Sequence, residues 1–268
     1  MPDVYATIAE ADADMVQRLA EVLEIRAAEP QQRAMLEDYT GRLQPHGELL
    51  EVGCGTGAIS RYLATLPGVT HVTGLDPSPS FVERARELAG DAPIDFVVGD
   101  GRDMELDDES FDAVVFHTSL CHVPDRELAV AEAYRVLRPG GRIAVFDGDY
   151  ATMTMARNAQ DPLQSCCEAM LDMLVHDPWL MRRIAPLLTA AGFDDVRLEG
   201  HAYTTSGSGS DYFRALVDRG ADALLASGTV GPELSAALKA EGRARMDAGT
   251  FFGHIAYVSA LAHRPLSA

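Results

Sequence analysis

A run of alternating glycines follows the first strongly apolar segment of the chain. Residues 49–57 read Leu-Leu-Glu-Val-Gly-Cys-Gly-Thr-Gly, an apolar strand that ends in an acid and three glycines. Glycine adopts backbone angles closed to other residues and lets a ligand approach the main chain. The next segment, 58–66, has helical spacing, so the turn leads into a helix N-terminus with free N–H groups. This pattern predicts a site for a polar ligand, with an ordinary architectural turn as the alternative.

Acidic residues follow the next two predicted strands. Asp76 ends the second strand, and Asp100 comes directly after the third. In an open α/β sheet, ligands bind beyond the carboxyl ends of the strands. An acid after the second strand can accept hydrogen bonds from both hydroxyls of a ribose, and one after the third can accept from the exocyclic amine of adenine. Together the two acids predict a nucleoside lying across the sheet.

The spacing of the glycines separates two kinds of nucleoside cofactor. A dinucleotide turn usually reads G-x-G-x-x-G, whereas Gly53, Gly55 and Gly57 read G-x-G-x-G. Glu51 lies two residues before the first glycine, and its carboxylate would repel a pyrophosphate. The same carboxylate suits a ligand with an ammonium or sulfonium centre. S-adenosylmethionine has both centres together with adenine and ribose, so it is the expected cofactor.

A strand–helix alternation is expected to position these residues. Apolar strands separated by helices indicate a parallel sheet covered on both faces, and right-handed crossovers make such a sheet doubly wound. We therefore predict an α/β fold with a doubly wound, mostly parallel sheet. The predicted strands in this part of the chain are 48–52, 71–75, 94–98, 113–116 and 142–146, and the helices between them are 58–66, 79–89 and 126–137.

Two segments lie outside the alternation. Residues 1–45 carry two predicted helices, 9–28 and 31–42, and are expected to form a lid before the main domain, 46–268. The pattern loosens at 148–178, and this insertion is expected to cap the sheet edge. Further elements are predicted as helices at 163–175, 180–191, 211–226 and 231–248, strands at 194–199 and 251–262, and a flexible turn at 206–210.

Family motifs occur in order between residues 49 and 147. They are 50–57, 74–78, 99–103, the fourth-strand region 111–115 with 122–125, and 136–141 before the fifth strand. With them the chain resembles the class I S-adenosylmethionine-dependent methyltransferases. It is most similar to the small-molecule group with a type 11 domain, which includes ubiquinone/menaquinone methyltransferase-like enzymes. The resemblance implies a Rossmann-like fold of seven strands and methyl transfer to a small organic acceptor.

The same resemblance assigns roles to individual residues. The three glycines would line the methionine moiety, Asp76 would hold the ribose, and Asp100 would take the adenine amine. His117 and Thr118 would lie under the methionine part, just past the fourth strand. Arg26, on the N-terminal helix, is expected to pair with the methionine carboxylate, because arginine binds carboxylates in a bidentate manner. The expected cofactor-binding residues are Arg26, Glu51, Gly53, Gly55, Gly57, Asp76, Pro77, Asp100, Gly101, Arg102, His117 and Thr118.

His117 is the candidate catalytic residue. Methyl transfer is an in-line displacement in which the protein mainly aligns acceptor and donor, and this alignment lowers the barrier. A base is needed only if the acceptor holds a proton at the reacting atom, and a histidine can take that proton near neutral pH. The alternative is a histidine that only contacts the cofactor. Many relatives carry a small or aromatic residue here, which leaves the acceptor chemistry open.

Four further residues are expected to face the acceptor. Asp149 and Tyr150 follow the fifth strand, with a capping Asp and a packing Tyr as the alternative interpretation. Tyr5 would close over the acceptor from the N-terminal segment. His122 begins a turn near the site, where a local backbone hydrogen bond is the alternative. No metal is expected.

The composition restricts the partners of the chain. Lys and Arg total 22 against 41 Asp and Glu, a formal charge of -19. Such a surface repels phosphate backbones and anionic lipid, so nucleic acid and membranes are poor partners. The sequence shows no membrane-spanning run and no signal peptide, and its four cysteines form no CxxC pair. These features predict a cytoplasmic protein that acts on a small molecule, and they are compatible with a homodimer.

The sequence therefore predicts a methyltransferase whose acceptor is a small organic molecule, with a specialised metabolite as the expected class. Whether N, O or C is methylated stays open. One alternative is an enzyme of this fold that catalyses a cyclisation without methylation, and another is a non-catalytic cofactor-binding homologue. A dehydrogenase ranks last because of the glycine spacing.

Overall fold

Seven strands form one sheet in the computed structural model, which describes Tyr5, Ile8 and residues 13–266. The first five strands are parallel, and the last strand runs antiparallel to both of its neighbours. The predicted doubly wound, mostly parallel sheet is thereby confirmed. The strands are β1 (Gly47–Val52), β2 (Val69–Asp76), β3 (Ile94–Val98), β4 (Phe111–His117), β5 (Leu137–Thr154), β6 (Asp194–Gly207) and β7 (Phe251–His263), in the spatial order β3-β2-β1-β4-β5-β7-β6.

Helices cover the two faces and the carboxyl end of this sheet. Several begin where the chain chemistry favours a helix start: Pro79 occupies the first turn of its helix, and the Ser78 hydroxyl accepts a hydrogen bond from the Phe81 amide at 3.3 Å. In the described residues the α-helices are α1 (Ala13–Ala28), α2 (Pro30–Leu43), α3 (Ala58–Leu63), α4 (Pro79–Ala89), α5 (Arg126–Val136), α6 (Leu163–Leu174), α7 (Ile184–Ala190), α8 (Asp211–Ala226) and α9 (Pro232–Asp247).

The central strands are buried on both faces. Leu49 and Leu50 of β1 and Val114, Val115 and Phe116 of β4 are fully buried. Continuous apolar strands are what a parallel sheet covered by helices requires. The carboxyl ends of β1, β2 and β4 therefore stay in fixed relative positions, where the residues that follow them can form a site.

Strands β5 and β6 extend further than predicted. Residues 148–154, expected to begin the cap, continue β5, and residues 206–207, expected in a flexible turn, pair with 251–252 of β7. The long antiparallel β7 supplies hydrogen-bond partners for both extensions, a tertiary effect that local pattern does not contain. The proposed cap therefore begins after residue 154.

The single helix predicted at 180–191 is divided in the structure. A 3₁₀ turn at Leu180–Arg182 is followed by α7, and Arg183 between them has a φ of -122°, outside the helical range. The helix after the glycine turn is also shorter than predicted, since α3 ends at Leu63. Neither change moves a candidate site residue.

The N-terminal helices pack over the carboxyl end of the sheet. Helix α1 contacts α2, α3, α4 and α8, and Val16 and Leu19 on α1 form a small buried cluster with Ile8 and Phe81. Residues 9–12 of the predicted first helix lie outside the described part of the chain. These helices correspond to the proposed lid. Among the helices that the structure describes, none has the length and apolar character needed to cross a bilayer.

Candidate active site

A cavity lies at the carboxyl ends of the central strands, between the sheet and α1 and α2. Its wall combines the glycine turn after β1, the residues after β2 and β4, and side chains from both N-terminal helices. We call it the first cavity. Of the predicted site residues, those that line it are Tyr5, Arg26, Glu51, Gly53, Gly55, Asp76, Pro77, Asp100, Gly101, Arg102, His117, Thr118 and His122.

The glycine turn has two separate reasons for its glycines. Gly53 has a φ of +75°, and a Cβ there would lie 2.5 Å from the Cβ of Ser119. Gly57 has a φ of +74°, and a Cβ there would lie 2.6 Å from the Phe96 ring. Gly57 does not line the first cavity. The structure thus gives Gly57 a packing reason, and its expected contact with the methionine moiety stays a prediction.

Glu51 is a buried acid on the cavity wall. Glu51 is only 1% exposed, and the Ser60 hydroxyl donates a hydrogen bond to its Oε2. Burial raises the pKa of Glu51 to about 8, against the opposing effect of the Ser60 hydrogen bond. The carboxyl group therefore keeps its proton near neutral pH until a cation arrives to pair with it.

Asp76 is oriented by two backbone amides. Its Oδ2 accepts from Gly55 N at 2.8 Å, and its Oδ1 accepts from Ser78 N at 2.9 Å. Burial raises the pKa of Asp76 to about 6, while both amides favour the ionised form. Each oxygen keeps a second lone pair, so the carboxylate has capacity for two ligand hydroxyls.

Asp100 lies with Arg102 at the far end of the first cavity. The Arg102 guanidinium donates to both oxygens, from Nη2 to Oδ2 at 2.7 Å and from Nε to Oδ1 at 3.0 Å. This pairing holds the pKa of Asp100 below its ordinary value. Gly101 between them lets the wall close on Val52, whose Cγ1 would lie 2.7 Å from an added Cβ. The carboxylate is thus ionised and able to accept a further hydrogen bond.

His117 forms a buried hydrogen bond with the hydroxyl of Tyr39. Tyr39 Oη lies 3.0 Å from His117 Nδ1, and both side chains are buried against the ring of Phe146. Burial, with the charge of Arg26 as a smaller cause, lowers the pKa of His117 well below its ordinary value. Burial also raises the pKa of Tyr39, so the phenol keeps a proton that it can donate to Nδ1. In that tautomer the imidazole proton resides on Nε2.

Arg26 and Glu24 give α1 two different roles at the site. Arg26 lines the first cavity and forms no ion pair with an acidic side chain in the described residues. Glu24 instead accepts from the Thr56 hydroxyl at 2.6 Å and from Arg61 Nη2 at 2.9 Å. The helix is therefore tied to the glycine turn while one guanidinium is left for a ligand.

The residues expected to face the acceptor separate into two groups. Tyr150, Tyr5 and His122 line a smaller cavity next to the first, and the rings of Tyr5 and His122 lie 4.6 Å apart. Asp149 lines neither cavity, and its carboxylate accepts from Arg182 Nε at 2.9 Å. The structure thus pairs Asp149 with Arg182, and its expected contact with the acceptor stays a prediction.

Sequence reasoning missed several polar residues of the site. Ser60 is buried on α3 together with the apolar residues Ile59 and Leu63. A polar residue on the apolar face of a helix was the sequence signal that could have identified it. Gln32 lines the first cavity and donates to Tyr257 Oη at 3.1 Å, while its Oε1 has no partner in the described part of the chain. This contact joins residues far apart in the sequence, so no local pattern announces it.

Comparison with known proteins gives a family match over the part of the chain that carries the motifs. The family described as "Methyltransferase domain" matches residues 50–145. This range runs from within β1 to the middle of β5 and includes Glu51, the glycine turn, Asp76, Asp100 and His117. The family match therefore contains the acids that line the first cavity.

Two curated relatives align with the same region. The 27-O-demethylrifamycin SV methyltransferase of Amycolatopsis mediterranei is 37% identical over 149 residues, which is 54% of this chain and 48% of the relative. The ubiquinone/menaquinone biosynthesis C-methyltransferase UbiE of Methylobacterium nodulans is 47% identical over 98 residues, 35% of this chain and 39% of the relative. The alignments thus span about half or less of these relatives.

A solved structure extends the likeness to the whole fold. The [4+2]-cyclase SpnF is 20% identical, with a TM-score of 0.59, and the comparison covers 100% of this chain and 99% of that one. At this identity the comparison shows the fold alone.

The first cavity fits the cofactor that the family uses. S-adenosylmethionine is a nucleoside with an ammonium and a sulfonium centre, and the wall offers buried Glu51, amide-oriented Asp76 and ionised Asp100 in chain order. Gly53 and Gly101 let the backbone come close at both ends. The match, the relatives and the geometry confirm the resemblance and the expected cofactor. Residues 50–145 match the methyltransferase domain family, and with this domain the chain is similar to the class I, small-molecule S-adenosylmethionine-dependent methyltransferases.

Proposed function

We propose that the chain methylates a small organic acceptor, a specialised metabolite by class. The observation that carries this proposal is the row of acids at consecutive strand ends, Glu51, Asp76 and Asp100, on one cavity wall. When bound, S-adenosylmethionine supplies a methyl group on a sulfonium centre, which is already an excellent leaving group. The protein then has to bind, align and exclude water.

Each acid has a separate binding task in this proposal. Asp76, fixed by the amides of Gly55 and Ser78, accepts from the ribose hydroxyls. Asp100, kept ionised by Arg102, accepts from the adenine amine. Glu51 pairs with the cationic methionine end and gives up its proton when it does so. Holding the donor at three points supplies the positioning that lowers the barrier of an in-line displacement.

We assign His117 a positioning role in place of the expected general base. Its Nδ1 is occupied by the Tyr39 hydroxyl, and the remaining nitrogen, Nε2, carries the proton. A buried imidazole with a lowered pKa is a weak base. It can still donate an Nε2–H hydrogen bond to a ligand in the first cavity. An acceptor that arrives already ionised would need no base from this residue.

Helix α1 closes the first cavity from above. A Cβ on Gly55 would lie 2.8 Å from Leu23 Cδ1, which shows how closely the helix packs on the glycine turn. The contacts of Glu24 with Thr56 and Arg61 hold it there. Removal of water strengthens the electrostatic interactions inside the cavity. We propose that the N-terminal helices serve as the lid over bound donor.

The relatives support the class of acceptor. The names of two relatives, 27-O-demethylrifamycin SV methyltransferase of Amycolatopsis mediterranei and O-methyltransferase resE of Aspergillus sclerotiorum, describe enzymes that methylate oxygen or an O-demethylated compound. UbiE is named as a C-methyltransferase. These names support a small organic acceptor, and they leave the choice between O and C to experiment.

Transfer of a labelled methyl group tests the proposal directly. The full chain would be incubated with methyl-labelled S-adenosylmethionine and a panel of ring-containing metabolites, and products would be followed by mass. We expect a labelled product heavier by one methyl group, and tenfold or more slower formation of it by Asp76→Ala when the donor is limiting. A product of unchanged mass would favour the cyclisation alternative. Cofactor binding without any turnover across the panel would favour a non-catalytic homologue.

A further inference from the structure

A second cavity adjoins the first across a shared wall. Tyr5, Leu23, Arg26 and His122 line both cavities, so the two cavities are direct neighbours. The remaining wall of the second cavity comes mainly from β5, α6 and α8. None of the residues assigned above to the nucleoside lines it. The second cavity is thus placed to hold the partner of the donor.

The charge of the second cavity is opposite to that of the protein. The chain carries a formal charge of -19, yet no acidic side chain among the described residues lines this cavity. Arg26 and Arg219 both line it. In a protein so rich in carboxylates, two guanidinium groups facing an acid-free cavity favour an anionic ligand.

The guanidinium of Arg219 includes a buried nitrogen, Nη2, without a hydrogen-bond partner among the described residues. A buried donor without an acceptor costs free energy, and a guanidinium matches a carboxylate with two parallel N–H groups. Arg26 lines both cavities, whereas Arg219 lines only the second. Arg219 is therefore the residue that distinguishes an acceptor carboxylate from the carboxylate of the donor.

The rest of the second cavity is apolar and aromatic. Tyr150 and Tyr212 are 5% exposed, and Met170 and Leu216 beside them are 3% exposed. Aromatic faces and a methionine thioether pack well against flat ring systems. A short polar acceptor would leave these walls in contact with water. At about 40 Å³, the second cavity has room for one end of a ligand and not for a whole ring system, so its lining suits a charged group with an apolar neighbour.

We propose that the second cavity binds the carboxylate-bearing end of the methyl acceptor, with Arg219 as the specificity-determining residue, and that the apolar remainder of the acceptor lies along the wall shared with the first cavity. This inference rests on the proposed function, because the cavity acts as an acceptor site only beside a donor site. The apolar walls contact the part of the acceptor next to the carboxylate, and Arg219 pairs with the carboxylate.

Binding of two matched probes tests this inference on the full chain saturated with S-adenosylhomocysteine. The probes are 2-naphthoate and the uncharged 2-naphthamide, titrated calorimetrically. We expect wild type to bind the naphthoate at least tenfold more tightly than the amide. Arg219→Gln should remove that preference without changing S-adenosylhomocysteine affinity, and Arg219→Lys should retain part of it. Arg214→Gln, on the same helix at an exposed ion pair with Asp211, is the control and should behave as wild type.

Each other outcome overturns the inference. Equal affinity for the two probes, absence of naphthoate binding, or an unchanged preference in Arg219→Gln would each contradict a carboxylate site at Arg219. If S-adenosylhomocysteine itself fails to bind wild type, the proposed function fails, and this inference falls with it. If S-adenosylhomocysteine binds and the carboxylate preference is missing, only the acceptor class is wrong. The melting temperature of each variant shows that it is folded.

Discussion

The hydroxyl of Thr56 donates a 2.6 Å hydrogen bond to the carboxylate of Glu24, and this contact joins α1 to the glycine turn. Arg61 donates to the same carboxylate at 2.9 Å. Because α1 also carries Leu23 and Arg26 into both cavities, the position of the covering helix is coupled to the turn that lies beneath the donor.

Replacing Glu24 should loosen this attachment. Glu24→Ala removes the acceptor for both Thr56 and Arg61. Each such charge-assisted contact at a half-buried position stabilises the attachment of α1 by about 1 kcal/mol. We expect faster amide hydrogen exchange in α1 and several-fold faster dissociation of S-adenosylhomocysteine. Glu21→Ala, on the same helix and bonded only to Gln17 in the described residues, is the matched control. Equal behaviour of the two variants would show that the contact does not hold the helix.

Replacing Asp76 should weaken nucleoside binding. Asp76→Ala removes the acceptor expected for the ribose hydroxyls, and loss of charged hydrogen bonds costs about 1–3 kcal/mol, roughly tenfold to a hundredfold in affinity. The measurement is calorimetric titration with S-adenosylhomocysteine. Asp76→Asn keeps an oxygen that can accept from the Gly55 or Ser78 amide but has no negative charge. Weaker binding by this variant therefore reports the loss of the charge and not a local unfolding of the turn. Asp95→Asn, exposed on β3, should be neutral. Unchanged affinity in both Asp76 variants would rule out the assignment.

The ligand-free protein should lose stability as the pH rises because of Glu51. Burial raises the pKa of Glu51 to about 8, above the ordinary value near 4.5, so between these values the folded state holds a proton that the unfolded state has released. Stability is therefore fully present below about pH 4.5 and falls by at most about 1.4 kcal/mol per pH unit up to about pH 8.

Denaturant unfolding at several pH values measures this dependence. Glu51→Gln has no proton to lose, so its free energy of unfolding should depend less on pH between 5 and 8 than that of wild type. Asp76, with a pKa raised to about 6, adds a similar dependence at the acidic side of the range in both proteins. Parallel curves for wild type and Glu51→Gln would contradict a protonated Glu51.

His117 should stay neutral through the physiological range. Burial lowers the pKa of His117, so nitrogen-15 shifts should report a neutral ring with the proton on Nε2 at pH 6.5 and above. Tyr39→Phe removes the donor to Nδ1 and should populate the other tautomer while the pKa stays low, because burial is the main cause. A titration midpoint near or above 6.5 would restore the general-base interpretation.

Much of the sheet was predictable because its elements carry strong local patterns. The helix at Pro79–Ala89 and the strand at Ile94–Val98 have the bounds that the sequence predicted. The donor site was predictable for a related reason, since strand ends in a parallel sheet meet at one edge. Glu51, Asp76 and Asp100 each follow or end a recognisable strand, and the structure brings all three to one cavity.

The parts that sequence reasoning missed depend on long-range contacts. The extensions of β5 and β6 exist because β7 pairs with both, and β7 comes last in the chain. Asp149 was expected at the acceptor because it follows a strand end, but that strand continues and Arg182 takes its carboxylate. Arg219 lies on α8 without a motif around it, and only the folded chain places it beside Tyr150.

Calorimetric titration of the full chain with S-adenosylhomocysteine, compared with NAD⁺, tests whether the first cavity binds the S-adenosylmethionine donor. We expect saturable binding of one S-adenosylhomocysteine per chain and no binding of the dinucleotide, because the turn from Gly53 to Gly57 lacks the G-x-G-x-x-G spacing of dinucleotide sites. Tight binding of NAD⁺ without binding of S-adenosylhomocysteine would contradict it.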